Sequence, residues 1–380
     1  MEGLNFDIAI IGGGIAAITF AENYRKYNPN VTIAIFEKTN EEPYSKVLLP
    51  HFVKKVIPIE KTIIRTQKQL EDKGIKYFKN ENITYINIIN SSFESSSYLV
   101  SFNKLILATG GEAREISTST KPLYFQTLED AKILVDKLET TDKTLPAIVL
   151  GGGFISFEFF EIFQKYGFKT INLLRSGKYF SHLSPQQLTP ILIKILKQNS
   201  VEDIINIENI EDITNDLIRF DGKTIRASIV AVGAGLTRSH NFFGKTEEGI
   251  KTNEFLETDY KNIYAIGDVA IVTKNNTPKI TGNWNNAIQQ GIWLAKYLSK
   301  QIDTEYSFSK ATDYTTSFFG NHLSFIGNTN QKLVTNKIVV SDSKQFIAET
   351  YIENKLVGAV LLNTANKRTF YQDEVSKVDD

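Results

Sequence analysis

Residues 8–27 read IAIIGGGIAAITFAENYRKY, and residues 147–166 read AIVLGGGFISFEFFEIFQKY. Both have a short β-branched run, three glycines, an amphipathic helical stretch and a terminal Lys-Tyr. Each is followed by a second apolar run, VTIAIF at 31–36 and TINLL at 170–174. Strand, glycine turn, helix, strand is a βαβ unit. A chain that carries it twice is expected to be α/β with parallel sheets.

The glycines have separate physical tasks. In Gly12-x-Gly14-x-x-Ala17 the first permits the tight turn and the second lets backbone approach a pyrophosphate. The small Ala17 lets the helix pack on the strand. The start of that helix, with unpaired amides and a positive dipole end, then faces phosphate. Glu37 closes the second strand, where an acid accepts hydrogen bonds from a ribose 2′-hydroxyl. The second copy keeps Gly151 and Gly153 but has Ser156 at the third small position. Leu174 and Arg175 stand where its acid is expected, followed by Ser176, Gly177 and Lys178. An arginine there accommodates a 2′-phosphate, which favours NADPH over NADH. An exposed arginine beside a nucleotide-indifferent turn is the other reading.

Composition sets the wider bounds. At 380 residues the chain is long enough for two or three domains. Lysine plus arginine balances aspartate plus glutamate, 43 against 43, so no whole-molecule field favours nucleic acid. There is no cysteine, hence no disulfide, thiolate metal site or cysteine nucleophile. His51 has no second histidine nearby, and no metal site is expected. The first apolar run lacks a basic leader, and no charge-free run of about 20 apolar residues suggests a spanning helix. A cytoplasmic protein is the resulting expectation.

Three further stretches carry a resemblance. KLILATGGEARE (104–115), IVAVGAGLTRS (229–239) and above all ETDYKNIYAIGDVA (257–270) follow the glycine motifs in order. The chain resembles two-dinucleotide-binding-domain flavoproteins of the pyridine nucleotide–disulfide oxidoreductase superfamily over about residues 6–330. It is most similar to the cysteine-free branch of rubredoxin and ferredoxin reductases and apoptosis-inducing-factor-like proteins. The resemblance implies two Rossmann-like domains and a small, mostly β, C-terminal α+β domain. It places a discontinuous FAD domain at 1–115 and 246–308, an NAD(P)H domain at 116–245 and the last domain at 309–380.

It also implies site residues. FAD would be held by Gly12, Gly14, Ala17, Glu37, Lys46, Ala108, Thr109, Gly110, Gly267, Asp268, Trp284 and Ala287. Asp268 would hydrogen-bond the ribityl chain. NAD(P)H would be held by Gly151, Gly153, Phe154, Ile155, Glu158, Arg175 and Gly233. Phe154 would cover the flavin ring or pack in the core. The helix expected in GNWNNAIQQGIWLAKYL (282–298) would aim its start at the flavin, capped by Asn283, Asn285 or Asn286.

The implied chemistry is hydride transfer from nicotinamide C4 to flavin N5, with Lys46 and Glu158 as the catalytic pair. In relatives with a redox-active disulfide, the segment matching EEPYSKVLLPH (41–51) carries two cysteines; here it carries Lys46. Electrons would therefore leave for an external acceptor, a rubredoxin- or ferredoxin-like protein or a quinone. A homodimer is compatible with this reading. A flavin-binding redox sensor or scaffold with slow NAD(P)H reactivity is the alternative, motivated by the irregular second motif.

Overall fold

A computed structural model describes residues 2–377 apart from 84, 176, 239, 244–248, 275, 276, 281, 304–312, 331, 333 and 343. Ser176 and the expected boundaries at 246 and 308 lie outside the described residues. The chain divides into two compact units. One comprises Met1–Leu48, Pro58–Glu112 and Leu236–Ser307, the other Leu49–Ile57, Ala113–Gly235 and Phe308–Asp380.

In the first unit the strand Glu2–Ile11 pairs in parallel with Ile33–Phe36 and with Tyr98–Leu107. Ile75–Phe78 extends the sheet on one side, and Ile263–Ala265 joins Tyr98–Leu107 in parallel. Ile33–Phe36 is buried at every position, as a strand covered on both faces must be. The helix Ile15–Tyr27 buries Ala16, Ala17, Phe20 and Ala21. It packs against the helix Trp284–Leu298 through Gly291, where a Cβ would lie 2.8 Å from the Ala16 carbonyl oxygen.

The second unit holds a parallel sheet in the order Val201–Asn206, Thr170–Leu174, Ala147–Leu150, Ile229–Val232. Its helix Phe154–Lys165, FISFEFFEIFQK, is apolar nearly all round, which suits burial on several faces. Phe159 meets Phe125 on one face, at 5.9 Å between ring centroids. Phe157 meets Phe318 on another, at 4.5 Å. Phe318 belongs to a five-stranded antiparallel sheet formed by the C-terminal segments, including Asn321–Gly327, Thr335–Ser341 and Lys355–Leu362. The fold is thus α/β with two glycine-turn βαβ units and a small β-rich C-terminal region. No helix among the described residues is long and apolar enough to cross a membrane.

Candidate functional site

The first glycine turn admits no side chain where the chain doubles back. Gly12 has φ +99°, and a Cβ there would lie 2.5 Å from the Ala108 carbonyl oxygen. Gly14 is the opposite case, with no atom within 4 Å of its would-be Cβ. It is the N-cap of Ile15–Tyr27, a helix start with no side-chain cap and no acid in its first turn. Bare amides facing open space fit a dinucleotide diphosphate. At the rim, Glu37 accepts the Gly13 N–H at 2.7 Å and the Thr39 N–H at 3.0 Å. Burial and the Glu37 charge push the nearby Tyr77 phenol far above its ordinary range.

The fingerprint at 257–270 closes on the same unit. Gly267 has φ +76°, and a Cβ there would lie 3.1 Å from the Ala16 methyl. Its N–H donates to Gln290 Oε1 at 2.6 Å. Burial raises the Asp268 carboxyl, while Lys46 and Arg238 pull it down without cancelling that rise. Arg238 Nε donates to the Asp268 backbone carbonyl at 2.5 Å. Gly282 leaves room for it, since a Cβ there would lie 3.0 Å from Arg238 Nη2. Lys46 is exposed on the short turn Lys46–Leu48, and Ser45 just before it donates to the Thr62 carbonyl at 2.7 Å. Asn283 caps Trp284–Leu298 by accepting the Asn286 N–H at 2.7 Å, with Trp284 half-buried in the first turn. Thr109 is exposed, and Gly110 has φ +72° beside open space.

The second unit repeats the cradle. Gly151 has φ +110°, with a would-be Cβ 2.5 Å from the Gly233 carbonyl oxygen, and Gly153 faces open space. Gly153 caps Phe154–Lys165 without a side-chain bond or a first-turn acid. Ser156 fits at the third small position because its hydroxyl lies where a side chain on Gly233 would be. That hydroxyl is buried without a partner among the described residues. Removing it should help: Ser156→Ala is expected to raise the melting temperature, by about 1 kcal/mol of stability, and leave nucleotide affinity unchanged. A lower melting temperature would mean the hydroxyl has a stabilising partner. Leu174, 2% exposed, lies under Gly152, while Arg175 is exposed and makes no ion pair with a described residue.

Residues 6–291 match the family model described as pyridine nucleotide-disulphide oxidoreductase. The chain belongs to this family. Its members are flavoprotein oxidoreductases that use FAD and NAD(P)H. Coenzyme A disulfide reductase of Staphylococcus haemolyticus is 26% identical over 288 residues, 70% of this chain and 63% of that protein. The assimilatory nitrate reductase electron transfer subunit of Bacillus subtilis is 23% identical over 98% of this chain and 49% of its own length. The chain thus spans about half to two-thirds of these curated relatives. NADH:rubredoxin oxidoreductase from Clostridium acetobutylicum shares the fold at 20% identity with a TM-score of 0.80, covering 98% of this chain and 95% of that one.

Within this family member, the expected residues separate by unit. Gly12, Gly14, Ala17, Glu37, Lys46, Ala108, Thr109, Gly110, Gly267, Asp268, Trp284 and Ala287 belong to the first. Gly151, Gly153, Phe154, Ile155, Glu158, Arg175 and Gly233 belong to the second. Phe154 packs on Phe180, Tyr314 and Phe325 with ring centroids 5.0–5.9 Å apart. Glu158 is half-buried one turn before Glu161. Burial pushes its carboxyl up to about 8; Lys54 opposes the shift and Glu161 adds to it. Lys54 Nζ bonds Glu161 Oε2 at 2.8 Å, and Glu161 Oε1 accepts the Phe319 N–H at 2.8 Å. Sequence reading missed Arg238, Gln290, Lys54 and Glu161. The signal for Lys54 was its place just beyond 41–51, and for Arg238 its place inside IVAVGAGLTRS.

Proposed function

We propose that this chain is an FAD-dependent NAD(P)H oxidoreductase that delivers electrons to an external acceptor without a redox-active disulfide. The observation that carries the proposal is the pair of uncapped glycine-turn helix starts, one in each unit, in a chain of 380 residues without cysteine. Thiol–disulfide exchange begins with a thiolate. A disulfide reduction that passes through a protein thiolate therefore has no cysteine to work with in this chain.

In this reading Gly12, Gly14 and the Ile15–Tyr27 amides hold the FAD diphosphate, Glu37 accepts hydrogen bonds from ribose hydroxyls, and Asp268 holds the ribityl chain. When bound, FAD supplies a two-electron acceptor for nicotinamide hydride and a donor to the next partner. Lys46 adds positive charge that favours an electron-rich ring. Glu158 holds a proton at neutral pH and orients the nicotinamide carboxamide. A small redox protein fits best as acceptor, by analogy with the rubredoxin oxidoreductase and the electron transfer subunit, with a quinone as the other candidate. Arg175 at the strand end, with Leu174 in place of an acid, supports NADPH over NADH.

Anaerobic stopped-flow mixing of FAD-loaded protein with each nucleotide tests this. Bleaching of the flavin within about a second is expected at saturation. Bleaching over many minutes with both nucleotides would favour the sensor reading. Arg175→Ala should weaken NADPH binding about tenfold while sparing NADH, because a phosphate partner is lost. Equal effects on both would remove Arg175 from the site.

A further inference from the structure

The two glycine turns share a backbone path but are fastened differently. In the first, Glu37 accepts the Gly13 N–H from the rim. In the second, Leu174 offers no acceptor, and the Gly152 N–H has no acceptor among the described residues. The second turn is held from beneath. Asn172 pairs in register with Val149, the place that apolar Ile35 takes opposite Ile10 in the first copy. Asn172 is 0% exposed. Its amide donates to the carbonyls of Val149 at 2.9 Å and Gly151 at 2.8 Å. Its Oδ1 accepts the Tyr179 hydroxyl at 2.8 Å.

Tyr179 is equally buried, and burial pushes its phenol far above the ordinary range, so it stays a neutral donor. Its ring lies 2.9 Å from the place a Gly152 Cβ would take. Next to it Phe180, at φ +50°, donates its N–H to the Gly152 carbonyl at 2.8 Å. A buried amide in a parallel strand costs free energy unless its bonds are made, and the first copy does without one. The bonds made here fall on three carbonyls of one short stretch, those of Val149, Gly151 and Gly152.

We infer that Asn172 and Tyr179 are positioning residues of the nicotinamide site. They fix the Gly151 peptide from below, as Glu37 fixes the first turn from its rim, and so leave the Gly152 N–H to an oxygen of the bound NAD(P)H. The inference rests on the reading of the second unit as the NAD(P)H site.

The test uses full-length, FAD-loaded protein and stopped-flow titration with NADPH and with NADH. Asn172→Ile installs the residue of the first copy, and Tyr179→Phe removes a single oxygen, which keeps the test alive if the first variant folds poorly. In Asn172→Ile the apparent Kd for both nucleotides should rise about tenfold, with the limiting reduction rate held within about twofold. Tyr179→Phe should show the same split at about threefold. FAD affinity and the flavin spectrum should not move in either. Unchanged Kd in both variants, or nucleotide affinity and FAD affinity falling together, overturns the positioning role. Wild-type protein that binds neither nucleotide overturns the reading beneath it as well, which separates the two failures.

Discussion

Gly12→Ala is expected to purify colourless, while Gly151→Ala should purify yellow yet resist reduction by NAD(P)H. Each glycine combines a positive φ with a would-be Cβ 2.5 Å from a carbonyl oxygen, of Ala108 in one case and Gly233 in the other. Backbone on both sides leaves no flexible side chain to give way. The left-handed conformation alone disfavours alanine by about 1 kcal/mol or more. The overlap must be relieved by moving the turn that presents the helix amides. A combined loss near 3 kcal/mol corresponds to about a hundredfold in affinity. The two substitutions fall in different compact units, so their effects should separate. Flavin absorbance after extensive dialysis reads the first, and anaerobic bleaching reads the second. A Gly151→Ala protein that bleaches at the wild-type rate would remove the second turn from nucleotide binding.

What the sequence disclosed, and what it hid, follows from range. The glycine turns, the helix behind each and the Asn283 cap are local, written within a few residues of one another. The Ala-Thr-Gly and Tyr-Ala-x-Gly-Asp segments were legible by resemblance, and both lie on strands of the first parallel sheet or just beyond them. Contacts between distant residues were not legible. Arg238 reaches Asp268 across 30 positions, and Lys54 reaches Glu161 across 107. Ser156 read only as small enough; the reason, a glycine at 233 facing it, depends on which strand returns beside the turn. Asn172 sat unremarked in TINLL, because a polar residue within a strand is expected to face solvent. In a sheet buried on both faces it cannot.

Wild-type protein is expected to show a pH inflection near 8 that Glu158→Gln abolishes. The carboxyl is pushed up to about 8, chiefly by burial, against an ordinary value of 4.5. Between those values the folded state keeps a proton that the unfolded state releases, so this group's contribution to stability is full below about 4.5 and is lost as pH rises through about 8. Melting temperature measured from pH 6 to 9 should therefore fall more steeply for wild type than for Glu158→Gln, which carries no titrating proton. On the proposed reading the same carboxyl, protonated at pH 7, would donate a hydrogen bond to the nicotinamide carbonyl, a role an amide N–H can fill. Glu158→Gln should stay within about threefold of the wild-type rate at pH 7 and keep that rate at pH 9, where wild type slows. Glu158→Ala should slow reduction by about tenfold or more without releasing FAD. Lys54→Met takes away the cation that opposes the shift, so the wild-type inflection should move to higher pH. An inflection that survives unchanged in Glu158→Gln would assign it to another group and leave Glu158 a packing residue of its helix.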